Sequence, residues 1–344
     1  MKTKRSNRLS IFSKQCRPDK WILALIMMTA VAGLSGCASS EKTSDPELTP
    51  VVMQLDWIYN AQFAGFYQAI EQGYFKDVGM EVELRGGPTT PDIVAGTLEE
   101  PKISFGSSES NVLLADAAEG ADLKIIGTMF QFSPMGWMYL ADSGIDDFTD
   151  LATKRVGVHA DGWRVIKLLL QKQGADVSEF ETFECGYEPS VVIDGEGDAM
   201  QCYYIDEFVR FEQLKGDRAK VFLAKDYGYE AYSQVMFTHS DTIEEHPEMV
   251  TAFLAALKMG WQYAFDHPEE TVDLILSKYS PDLDRDHQLR SLAKIEELMI
   301  PEPGSLFQPV DPLVLEAGQA HLLKYDLMTE PLAIESILAQ SFLP

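Results

Sequence analysis

The sequence predicts an α/β protein, with mostly parallel sheets covered by helices and arranged as two lobes flanking a cleft. Between Val51 and Thr238, short strand-like runs rich in β-branched and aromatic residues alternate with helical periodicities, the signature of repeated β–α units. From Thr242 onward the pattern turns wholly helical. Several strand-like runs end in small or acidic residues just ahead of a helix start, which is the edge where open α/β sheets bind ligands. With 344 residues and 46% hydrophobic content, the chain can bury a sizeable core in one large or two medium domains.

The elements follow in order. Val51–Gln54 reads as a strand and Ala64–Ile70 as a helix, so Asp56, Trp57 and Asn60 fall between a strand's C-terminal end and a helix N-terminus. Met80–Leu84 alternates as a strand; Gly86-Gly87-Pro88 breaks it, and Pro91–Leu98 reads as a short helix with proline at its start. The strand Lys102–Phe105 runs into Gly106-Ser107-Ser108-Glu109-Ser110 and a helix over Asn111–Ala118. Small hydroxyl residues at that junction make a natural polar pocket, because free backbone N–H groups point outward at a helix start. Lys124–Phe130 and Trp137–Ala141 are further strands, and Ile145–Leu151 is a turn-helix. Arg155–Val158 is a strand, after which His159-Ala160-Asp161-Gly162 caps a helix over Trp163–Gln173. Phe180–Phe183, Ala199–Tyr204, Lys220–Leu223 and Gln234–Thr238 read as strands, with a helix over Ile205–Leu214. In the tail, Val250, Phe253, Leu254, Leu257 and Trp261 recur at helical spacing, a packing stripe rather than a cofactor site. Thr271–Tyr279, His287–Met299, Pro312–Tyr325 and Ile334–Leu343 complete the expected helices.

Residues 1–20 carry seven Lys/Arg against the single acid Asp19, and an apolar run over Trp21–Leu34 follows. A basic segment, a short apolar stretch and small residues after it form an export signal, too short for a comfortable membrane span. Leu34-Ser35-Gly36-Cys37 resembles the bacterial lipobox, which implies cleavage at 36 and a lipid on Cys37. Residues 37–50 would then be a tether. Removing the seven bases and one acid from 28 and 54 leaves 21 and 53, a net charge of −32. Such a field argues against nucleic acid and against an anionic ligand drawn in by the overall charge. Cys185 and Cys202 remain after export, and whether they pair is left open. No Cys-x-x-Cys or His-x-x-x-His spacing points to a metal.

The stretch Leu55-Asp56-Trp57-Ile58-Tyr59-Asn60-Ala61-Gln62-Phe63-Ala64-Gly65-Phe66-Tyr67, followed by Gly73-Tyr74-Phe75, resembles the opening of the thiamine-pyrimidine-precursor binding proteins of ABC importers. The later His246-Pro247-Glu248, Phe253-Leu254-Ala255-Ala256, Gly260-Trp261 and His267-Pro268-Glu269-Glu270 match the same family in order. The resemblance implies a type II periplasmic-binding-protein fold, with lobe 1 over 51–140 plus 240–344 and lobe 2 over 141–239. It also implies a two-strand hinge and a ligand closed between the lobes. Where the family has Tyr-Asn-Glu, this chain has Ile205-Asp206-Glu207. Related enzymes build the pyrimidine from their own histidine and pyridoxal phosphate. Their cofactor lysine aligns near Ser108, and their cysteine cluster falls where Tyr229–Ser233 stand here, so no enzyme activity, cofactor or metal is expected.

The leading expectation is an exported lipoprotein that binds a small heteroaromatic ligand and hands it to an ABC permease, as a monomer at the cell envelope. Trp57 would offer a flat face. Asp56, Asn60, Ser107, Ser108 and Glu109 would supply polar anchors from lobe 1, and Asp206 and Glu207 would close from lobe 2. Trp163 and Tyr203 stand between core and site. Acidic anchors suit an amino-bearing or cationic ligand and oppose nitrate or sulfonate. The alternatives are a flavin, another aromatic or a sulfonate-type ligand in the same fold, a pyrimidine-synthase-like enzyme, or a sensory or adhesive lipoprotein.

Overall fold

The computed structural model describes residues 47–86, 92–160, 162–300 and 306–344. The export segment, Cys37 and most of the expected tether lie outside the described residues.

Ten strands form two five-stranded sheets. In chain order they are β1 (Thr49–Gln54), β2 (Met80–Arg85), β3 (Ile103–Ser108), β4 (Leu123–Thr128), β5 (Met135–Leu140), β6 (Val156–Val158), β7 (Thr182–Glu184), β8 (Ala199–Tyr203), β9 (Ala219–Leu223) and β10 (Val235–His239). The first sheet has the order β2-β1-β3-β10-β4 and the second β7-β6-β8-β5-β9. In the first, β1 runs parallel to β2 and β3 while β10 runs antiparallel to β3 and β4. In the second, β6 runs parallel to β7 and β8 while β5 runs antiparallel to β8 and β9. Val51, Val52 and Met53 are buried in succession, as expected of a parallel strand covered on both faces.

Sheet membership moves two strands across the boundaries expected at 140 and 239. β5 belongs to the second sheet and β10 to the first. Each of these strands is the antiparallel member that the chain enters on crossing over, and alternation alone does not reveal such a switch. The crossovers run side by side: the Met129 N–H donates to the Gln234 carbonyl (3.0 Å) and the Ser133 N–H to the Ala231 carbonyl (3.0 Å). The Thr128 hydroxyl adds a bond to the Ser233 carbonyl at 3.2 Å. A paired, two-segment connection therefore joins the sheets.

Helices from the C-terminal half return to the first sheet. Phe253 of the helix Pro247–Asp266 stacks on Phe105 of β3 with centroids 3.9 Å apart, and Trp261 is fully buried. That helix crosses Ala64–Glu71 very closely. A Cβ on Gly260 would lie 2.1 Å from the Gly65 carbonyl oxygen, and one on Gly65 would lie 2.3 Å from the Trp261 ring. The expected helix over Ile334–Leu343 is not formed. Instead, short 3₁₀ turns at Ile334–Ile337 and Gln340–Phe342 flank a parallel bridge from Leu338 to Ile125, and the Ala339 N–H donates to the Ile125 carbonyl at 2.8 Å. The tail thus covers the exposed edge of β4, which would otherwise present unpaired backbone groups. The expected helix at Ile205 begins instead at Glu207, and the one over Thr271–Tyr279 begins at Pro268 and widens to a π-turn over Ile275–Tyr279.

Cys185 and Cys202 are both free. Cys185 directly follows β7 and Cys202 lies on β8, with β6 between them. Two strand spacings amount to about 9–10 Å, beyond the roughly 7 Å Cα separation that a disulfide spans.

Candidate functional site

A cleft of about 520 Å³ lies where the carboxyl ends of β1, β3, β6 and β8 converge. Seven of the ten sequence-derived candidates line it: Asp56, Trp57, Ser108, Glu109, Tyr203, Asp206 and Glu207.

Asp56 follows β1, and both its carboxylate oxygens accept from Gln234 Nε2 at 2.8 Å. Gln234 stands at the crossover into β10 with φ +56°, a left-handed conformation uncommon for a residue with a side chain. Glu109 occupies the N-cap position of the helix Ser110–Ala118 but makes no side-chain cap. Its Oε1 accepts from the Ser233 hydroxyl at 2.5 Å and the Tyr203 hydroxyl at 3.1 Å. Tyr203 ends β8 of the second sheet, so this bond spans the cleft. The Tyr203 N–H donates to Glu207 Oε2 at 2.7 Å. Asp206 Oδ1 lies 2.8 Å from His287 Nε2.

Burial raises the pKa of three of these carboxyls, because a low-dielectric surrounding disfavours the ionised form. Asp56 is pushed up to about 6, against the opposing pull of its Gln234 bond. Glu109 is pushed up to about 7, with the Ser233 bond opposing and the Asp56 charge adding to the rise. Glu207 also reaches about 7 through burial and the neighbouring Asp206.

Aromatic groups form one wall. Trp57 and Tyr187 meet edge to face with centroids 5.7 Å apart, and His159 lies 4.5 Å from Tyr187. The His159 backbone N–H donates to Gln201 Oε1 at 3.1 Å. Burial lowers the His159 pKa, opposed by a hydrogen bond with the Gly186 backbone, so the ring is neutral near pH 7.

The other three candidates do not line the cleft. Asn60 caps the turn Ala61–Phe63, accepting from the Gln62 N–H at 2.9 Å, and it is Gln62 that reaches the cleft. Ser107 is fully buried with an unpartnered Oγ, because strand alternation turns it away from the face Ser108 occupies. Trp163 is exposed, with the Arg164 guanidinium 5.1 Å from its ring centre. The lining also includes Asp92, Ile93, Val112, Asp116, His159, Tyr187 and Gln201, which were not foreseen. His159 sits at a strand end and obeys the rule that located Asp56. Tyr187 lies in a loop that carries no local signal.

Two α/β units joined by paired crossovers, with a cleft at the carboxyl ends of both sheets, define the periplasmic-binding-protein class of fold. The aliphatic sulphonate binding protein SsuA of Escherichia coli shares that fold, with a TM-score of 0.68 and 14% identity over 86% of this chain and 92% of its own. Residues 60–271 match the NMT1/THI5-like family, and the chain belongs to it. Similar relatives differ in what they are named for. A formylaminopyrimidine-binding protein of Halalkalibacterium halodurans is 26% identical over 73% of this chain and 77% of its own. A 4-amino-5-hydroxymethyl-2-methylpyrimidine phosphate synthase of Legionella pneumophila is 26% identical over 65% of this chain and 72% of its own. No helix among the described residues is long and apolar enough to cross a membrane.

Proposed function

We propose that this protein is the extracytoplasmic solute-binding component of an ABC importer. Its ligand is a small amino-bearing heteroaromatic ring such as a thiamine-precursor pyrimidine. The observation that carries the reading is the joint arrival of an aromatic wall and acidic acceptors from both sheets in one cleft. Trp57 and Tyr187 give the ring a flat apolar contact. Glu109 and Asp56 from the first sheet, and Glu207 from the second, accept from its amino and ring N–H groups. The lobes that close on it are the first sheet with the C-terminal helices and the second sheet with its own, moving about the paired crossovers. Ligand touching both lobes favours the closed arrangement. No lysine among the described residues lines the cleft.

The protein is held to the membrane by lipid on Cys37 and passes its ligand to a permease. Cys37→Ser would then abolish partition into detergent, and unchanged partition would remove the anchor. Calorimetry of the purified protein against 4-aminopyrimidines, their des-amino analogues, a flavin and an alkanesulfonate tests the ligand class. Binding of the amino-bearing rings supports it. Binding of the flavin or sulfonate instead would overturn it.

A further inference from the structure

We propose that the cleft selects a ligand that arrives carrying positive charge, an organic monocation with an aromatic ring, over the same ring in neutral form. This rests on the reading of the cleft as a heteroaromatic-binding site and specifies its electrostatics. Some carboxylates on the outer surface of this protein are matched by bases: Glu83 by Arg85, Asp142 by Arg218, Asp273 by Arg285 and Asp286 by Arg290. The cleft carboxylates are treated differently. Among the described residues, Asp56 accepts from the Gln234 amide and its own backbone N–H, Glu109 from the Tyr203 and Ser233 hydroxyls, and Glu207 from the Tyr203 backbone N–H and its own. Asp92 and Asp116 add to the same cavity, and no lysine or arginine among the described residues lines it. A basic side chain beside this group is His287, bonded to Asp206.

Carboxylates withdrawn from water and given neutral donors alone carry an uncompensated cost in their ionised form. Before a cation binds, that cost favours the protonated form of the group, in line with the raised pKa of Asp56, Glu109 and Glu207. The groups facing these carboxyls are Tyr203, Tyr229 and Asp56 against Glu109, Asp206, His287, Cys185 and Cys202 against Glu207, and Glu109 and Tyr203 against Asp56. A cation removes the cost and releases the protons. Trp57 and Tyr187 on the adjacent wall also favour a cation over a neutral ring, since aromatic faces carry negative quadrupole density.

The test uses one ring in two charge states: 4-aminopyrimidine and its N-methylated, permanently charged pyrimidinium. Calorimetry of the purified protein should show the charged ring binding about tenfold tighter or more. Repeating the titration in buffers of differing ionisation enthalpy should show proton release near neutral pH. Its affinity should rise with pH through about 6 to 7 and then level, as the Asp56, Glu109 and Glu207 carboxyls ionise. Asp56→Asn and Glu207→Gln should each narrow the preference for charge, and circular dichroism checks that both variants fold. Equal affinity for the two rings, or tighter binding of the neutral one, overturns this inference and leaves the heteroaromatic reading standing. If neither ring binds and a flavin or sulfonate does, both fail.

Discussion

Glu109→Gln separates charge from geometry at the centre of the cleft. The wild-type carboxylate accepts from the Ser233 and Tyr203 hydroxyls through one oxygen, at 2.5 and 3.1 Å. A glutamine carbonyl can keep both bonds, so the variant should fold and the cleft should keep its shape. What it loses is the charged acceptor offered to the ligand. A hydrogen bond to a charged group contributes roughly 1.5–3 kcal/mol, about 10- to 150-fold in affinity. The full effect appears only where Glu109 is ionised. Its carboxyl is pushed up to about 7, so at neutral pH about half the molecules carry the charge and the loss is smaller by about a factor of two. Calorimetry with matched amino and des-amino pyrimidines, at about pH 6, 7 and 8, should show wild-type affinity for the amino ring rising with pH. In Glu109→Gln much of that rise should be lost, with affinity near the wild-type value at low pH, while the des-amino ring should bind both proteins alike. Equal losses for the two rings would refute the reasoning and leave Asp56 or Glu207 as the acidic anchor.

Trp57→Ala should weaken amino and des-amino rings to the same degree, by about 0.5–1.5 kcal/mol for the lost aromatic pairing alone. It should cost little stability in thermal melts, because the side chain is already 37% exposed. Stability of the empty protein should fall as pH rises from about 4.5 to about 7. The folded state holds Asp56, Glu109 and Glu207 carboxyls at about 6, 7 and 7. These values lie above those of the unfolded chain, so the folded state binds more protons across that window. Melting curves at pH values spanning it check the slope, and Glu109→Gln with Glu207→Gln should flatten it. Glu83, held down to about 2 by Arg85 and Lys102, acts in the opposite sense and at lower pH. Gly260→Ala should destabilise by about 1–3 kcal/mol or more in denaturant titrations, as overpacking does, because its Cβ would meet the Gly65 carbonyl at 2.1 Å. An unchanged midpoint would mean that the two helices can separate freely.

Much of the fold was legible because each β–α unit writes its own period into the chain. Val51–Gln54, the packing stripe of Pro247–Asp266 and the strand-end positions of Asp56, Ser108 and Glu109 depend on local alternation and spacing, which neighbouring residues alone define. Ser107 and Asn60 show where local reading stops. Both sit beside the cleft in sequence, yet strand alternation buries one and a helix cap occupies the other. Tertiary structure alone decided that β5 and β10 exchange sheets, since the local alternation of a strand does not say which sheet it joins. It also laid the tail along β4 rather than coiling it into a helix, because an unpaired sheet edge is satisfied only by a segment distant in sequence. The bonds that set the chemistry of the cleft, Tyr203 to Glu109 across 94 positions and Gln234 to Asp56 across 178, join residues from different elements. The sequence supplied the carboxyls. Folding brought them together out of water, and that burial moved their pKa values toward neutrality.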